Sequence, residues 1–163
     1  MYDIQLFGRI EVRTRGISLS GDDFGGTRPR HLLALLALHG EQSLVELEDT
    51  LGVPAATVKA DLKILREHLD PGTRGRDSVI VGHRGSYHLD PDRVRVDVAT
   101  FDQLIAAAQG RTAARAARPL TAAAFLASRP LLDGEDAPWI AELRAQYRAK
   151  LLMAHPSGVN QLI

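Results

Sequence analysis

Four segments between residues 28 and 89 decide the fold: RPRHLLALLALHG (28–40), SLVELEDTLG (43–52), PAATVKADLKILREHL (54–69) and SVIVGHRGSYHL (78–89). The first three have helical spacing. In the first, Leu32, Leu33, Leu35, Leu36 and Leu38 make the helix apolar over most of its surface, so it is expected at the centre of a core. Thr27 is its expected N-cap, Pro29 sits in the first turn and Gly40 is the stop. Ser43 and Glu46 form a capping box for the second helix, and Pro54 opens the third. In the third helix Val58, Leu62, Leu65 and Leu69 form one core-facing stripe. Lys59, Lys63 and Arg66 form a second stripe, bordered by Thr57 and Ala60. Strands at 79–82 and 86–89 flank a tight HRG turn, where Gly85 supplies backbone freedom. Three short helices followed by a β-hairpin describe a winged helix, whose third helix is shaped to enter a DNA major groove.

On the N-terminal side, Ile4 and Leu6 alternate with Asp3 and Gln5, and Ile10 and Val12 repeat the pattern. These are half-buried strands, with RTRG as a turn, ISL as a further strand and GDDFGG as a loop. A second unit starts near Asp97. Phe101, Leu104, Ile105 and Ala108 are helically spaced, and Gly110 ends that helix. The next helical stretch holds Pro119, where a kink or break is expected. Asp136 is the expected cap of a last helix, along which Trp139, Leu143, Tyr147 and Leu151 share one side. Trp139 and Tyr147 are expected in its core. The expected class is α+β: N-terminal strands and a winged helix over 1–96, a small all-helical domain over 97–154, and a tail over 155–163.

With 163 residues, 45% of them hydrophobic, the chain can bury a substantial core. It has no cysteine, which removes disulfides, thiolate metal sites and thiol nucleophiles. Residues 1–97 carry 13 Lys+Arg against 15 Asp+Glu, so any DNA footprint depends on where the cations stand. The start lacks a signal-peptide pattern and no apolar run approaches a membrane span, so a cytoplasmic, membrane-free protein is expected. The six histidines are scattered without metal-ligand spacing, and His83 and His88 across a turn lack a third ligand. Neither a Gly-rich phosphate loop nor a nucleophile elbow is present. The expectation is a binding protein with no metal or cofactor, not an enzyme.

The chain resembles the Streptomyces antibiotic regulatory proteins, the AfsR/SARP type of transcriptional activator. The resemblance rests on LFGRIEV (6–12), RHLLALLALHG (30–40), TVKADLKILREHLD (57–70), RGSYHLD (84–90), VDVATFDQLI (96–105) and PLLDGEDAPWIAELRAQYRAKLL (130–152). Those proteins join an OmpR-type winged helix to a bacterial transcriptional activation domain of tetratricopeptide-like helices. The resemblance implies sequence-specific binding to double-stranded DNA, commonly direct repeats near promoters. It also implies dimerisation on those repeats and contact with RNA polymerase. By matching position, Thr57, Lys59, Lys63 and Arg66 fall on the recognition helix, and His83 and Arg84 at the wing tip. Two departures stand out. The LGVPAA turn is shorter than the family's Pro-rich loop, and the helical part stops after about three helices.

Each candidate has a structural alternative. The Lys59, Lys63 and Arg66 stripe is either a solvated face or a groove-facing one, and its place on the third helix favours the groove. Arg66, late on the helix, suits a phosphate better than a base. Arg84 is either an exposed turn residue or a minor-groove probe. Arg28 and Arg30, at the start of the first helix, either clamp a phosphate or are solvated loop charges. The alternative function is a protein-interaction module acting through the helical domain on RNA polymerase or another regulator.

Overall fold

The computed structural model describes residues 1–73 and 77–155. Arg74 and Arg76, and the tail beyond 155, lie outside the described residues. The class is α+β, a winged helix joined to a helical domain. The chain divides into two compact units: residues 1–4 with 10–96, and residues 5–9 with 97–163.

In the first unit, β1 (Tyr2–Gln5), β2 (Glu11–Thr14), β3 (Ile17–Ser20) and β7 (Val94–Val96) make one sheet in the order β3-β2-β1-β7. β7 runs parallel to β1, pairing Tyr2 with Val94 and Ile4 with Val96. This strand has no counterpart in the sequence reading, because VRV is too short to show alternation. The GDDFGG loop contains a single 3-10 turn, Gly21–Phe24, that drives Phe24 to full burial. Gly25 follows with φ +93°, and its backbone lies directly on the third helix. A Cβ there would collide with Ile64 Cγ2 and come within 2.9 Å of His68 Cε1.

α1 (Thr27–His39) buries Leu32, Leu33, Leu35 and Leu36 at the centre of the unit. Its N-cap is Gly26, at φ +142°, and Thr27 is already helical, a shift of one residue from the expected cap. α2 (Leu44–Leu51) starts with the expected reciprocal bonds between Ser43 and Glu46. α3 (Ala55–Leu69) sinks Val58, Leu62, Leu65 and Leu69, each no more than 1% exposed. The hairpin of β5 (Ile80–His83) and β6 (Ser86–Leu89) gains a third strand, β4 (Gln42–Ser43), paired antiparallel to β6.

The second unit holds α4 (Asp97–Ala108), α5 (Ala113–Leu126) and α6 (Pro138–Ala154). Its core includes Phe7, Phe101 and Tyr147, whose rings stand 5.3–5.9 Å apart. Asp97 accepts the amides of Leu6 and Phe7 at 2.9–3.0 Å. Burial pushes its carboxyl above the ordinary value despite those bonds. Of the expected kink or break at Pro119, the break does not occur: α5 continues through it. Proline removes one ladder bond, and packing of Ala116, Leu120 and Ala123 into the core outweighs that loss. α6 begins after Ala137 with Pro138 in its first turn, so Asp136 is not the cap. Trp139 is only half-buried; its neighbour Ile140 takes the fully buried place.

Candidate nucleic-acid interface

α3 presents two faces set by its periodicity. With the apolar stripe sunk in the core, Lys59, Ala60 and Lys63 emerge on the opposite side, all exposed, and Thr57 is half-buried beside them. Neither lysine has a hydrogen bond or ion pair among the described residues. Glu67 is exposed one turn beyond Lys63, which keeps the ridge from being purely cationic. Pro54 is the N-cap and offers no side-chain acceptor; its carbonyl takes the Thr57 and Val58 amides at 3.0 and 3.1 Å.

The arginines behave differently. The Arg66 Nη2 donates to the Ile80 carbonyl at 3.0 Å, and its guanidinium carbon lies 6.0 Å from the Tyr87 ring centre. Gly82 makes room for that ring: a Cβ there would stand 3.0 Å from Tyr87 Cε1. Arg66 thus staples the wing to the helix. The Arg28 Nε donates to Asp61 Oδ2 at 2.8 Å, tying the start of α1 to α3. Asp61 is 4% exposed, a buried carboxylate in the middle of α3 that neither the apolar nor the cationic stripe includes. Its signal was available: Asp61 precedes Leu62 and falls on the inner half of the helical wheel. The Arg30 Nη1 donates to the Gly21 carbonyl at 3.0 Å. Lys59 and Lys63, one turn apart, therefore share an open face of α3, Thr57 lies off that face and is half-buried, and Arg28, Arg30 and Arg66 have internal partners.

The wing tip is a two-residue turn in which Arg84 (φ +50°) and Gly85 (φ +78°) both occupy the left-handed region. That pairing is the type I′ geometry hairpins prefer, with an arginine where asparagine is usual. His83 and Arg84 are exposed. The β2–β3 hairpin ends the same way, in Arg15 (φ +50°) and Gly16 (φ +76°). A non-glycine residue held at positive φ carries a cost of about 1–2 kcal/mol. Replacing Arg84 with Asn is expected to stabilise the protein by about 0.5–1 kcal/mol in urea denaturation, because Asn tolerates this conformation. The same variant is expected to lose duplex-DNA affinity, with a log–log salt slope shallower by about one. Unchanged affinity and slope would remove Arg84 from the interface.

Among the described residues, no cluster of His, Asp and Glu could hold a metal ion, and no helix is long and apolar enough to cross a membrane. Neither a protein-family model nor a curated protein matches the sequence. A solved structure does match the fold: Mycobacterium tuberculosis EmbR, in complex with a low-affinity phosphopeptide. The TM-score is 0.71 at 24% sequence identity, over 96% of this chain and 44% of that one. The chain thus spans less than half the length of this structural neighbour.

Proposed function

We propose that the chain is a bacterial transcription regulator, an activator that reads double-stranded DNA with α3 in the major groove and the wing in the minor groove. One observation carries the reading: Lys59 and Lys63 stand open, with no partner among the described residues, on a third helix whose other stripe is locked into the core. Thr57 and Lys59 then lie nearest the base edges, and Lys63 nearest a phosphate. Arg84 and His83 enter from the wing. Arg66, Arg28 and Arg30 serve mainly by fixing α3 and the wing, and Arg28, with a side chain 52% exposed, keeps enough surface to touch a phosphate. The shared architecture with EmbR supports the regulatory role. Binding as a homodimer on direct repeats, contact with RNA polymerase and a cytoplasmic location belong to the same proposal. It requires neither cofactor nor catalysis.

A second reading has its own support. Phe125 on α5 is 80% exposed and Met153 on α6 is 65% exposed, large apolar side chains of the kind a partner protein covers. In that reading the helical unit does the work on RNA polymerase or another regulator.

Selection from a random duplex pool tests both. The DNA reading expects an enriched motif, repeated at a spacing near one helical turn, whose affinity falls steeply with salt. A pool that stays random at low salt, with polymerase still retained by the protein, would favour the interaction module instead.

A further inference from the structure

The helical unit contains a cavity of about 340 Å³, in the size range of small-ligand sites. Its apolar lining includes Phe7, Leu131 and Tyr147, each at most 7% exposed, and Leu151. The walls are preformed. Residues 6–8 pair with 130–133 through Gly8 N to Pro130 O, Leu132 N to Leu6 O and Asp133 N to Gly8 O, each 2.8 Å. Arg144 holds the same loop by donating to the carbonyls of Leu131, Leu132 and Glu135 at 2.6–2.9 Å. That spends its guanidinium on the scaffold.

Two other arginines line the cavity, and both are exposed: Arg129 and Arg148. Neither has an ion pair among the described residues, and Arg148 makes only one long bond, 3.5 Å to the Arg144 carbonyl. No lining residue is acidic. Nearby, Lys150 is already neutralised by Asp102 at 3.2 Å. Burial raises the Tyr147 pKa, and Asp102 and Asp97 lie near enough to add to that rise, yet neither carboxylate lines the cavity. The cavity's own surface is apolar with cations at its edge and is complementary to one ligand chemistry.

We propose that this cavity binds an apolar carboxylate, its hydrocarbon or aryl body against Phe7, Leu131, Tyr147 and Leu151 and its carboxylate between Arg129 and Arg148. The inference stands apart from DNA reading, since it uses neither α3 nor the wing. Bidentate guanidinium recognition sets the head group, and the preformed wall limits the body.

Calorimetric titration with octanoate, 4-phenylbutyrate and octanol tests it. The two carboxylates are expected to bind, and octanol about tenfold more weakly, because two partly exposed charge pairs separate them. The variant Arg129→Gln/Arg148→Gln, its folding checked by thermal melting, is expected to bring octanoate down to the level of octanol. Ser128→Trp, which places a bulky ring at an exposed lining position, is expected to abolish all three. Equal binding of octanol and octanoate, unchanged octanoate binding in the double variant, or no binding at millimolar ligand would each overturn the proposal. So would a phosphothreonine peptide that binds through the same arginines where the carboxylates do not.

Discussion

Alanine in place of Asp70 is expected to destabilise the fold by about 2–4 kcal/mol, because it leaves the buried Tyr2 hydroxyl and Val79 amide without their acceptor. Asp70 caps the end of α3 and is only 3% exposed. Its carboxylate accepts from the Tyr2 hydroxyl at 3.0 Å and the Val79 amide at 2.8 Å, and it lies 3.5 Å from the Arg93 guanidinium. Three elements therefore meet on one side chain: the first strand, the end of α3 and the entry to the wing. Burial opposes its ionisation. The Val79 amide, the Thr73 and Tyr2 hydroxyls and the Arg93 charge outweigh burial and hold its pKa below the ordinary value. The sign follows from linkage. A depressed folded-state pKa contributes stability that is present above the unfolded pKa and lost as pH falls through the folded one. Urea denaturation near neutral pH measures the loss, and a deficit below about 1 kcal/mol would contradict the network. The variant is also expected to show a flatter acid limb of stability against pH than the parent.

The double variant Lys59→Ala/Lys63→Ala is expected to lower duplex affinity by roughly two orders of magnitude. One base contact is worth about 1–3 kcal/mol, and a phosphate contact adds its share of counterion release. The salt slope should fall by about two. Both side chains are exposed and have no partner among the described residues, so stability should stay within about 0.5 kcal/mol of the parent. That contrast makes the measurement informative: affinity drops while the melting curve does not move. If affinity stays within twofold and the protein remains folded, α3 is not the reading surface. The same substitution at Arg66 would be ambiguous, because it also cuts the bond to the Ile80 carbonyl and the stacking on Tyr87.

Periodicity made the helices and the wing legible. Leu62 and Leu65 lie inside because their spacing puts them there, and Ser43 with Glu46 announces α2 by a local bond pattern that needs no tertiary context. What escaped depends on partners distant in the chain. β7 exists because Val94 and Val96 meet β1 more than ninety residues away, which no window on VRV reveals. The survival of α5 across Pro119 reflects core packing on either side, which propensity does not weigh. At the candidate interface, the cations Lys59 and Lys63 and the wing tip were legible as types at a spacing. The internal duties of Arg28, Arg30 and Arg66 were not, since the acceptors are a buried carboxylate and two backbone carbonyls. The apolar cavity was invisible for the same reason: Phe7 and Tyr147 are 140 positions apart in the chain and adjacent only in the fold.

The elbow at Gly25 packs directly against α3. Its bare backbone is the shim behind Ile64 and His68, and a single methyl group would thicken it. With 1.5 Å of rise per residue, Lys59 and Lys63 stand about 6 Å apart along the helix axis. A change of tilt at the rear would swing these two charges through unequal arcs, and their fit to the phosphate rails would change with no substitution on the ridge itself. A position with no charge and no side chain thereby helps set how the helix would dock.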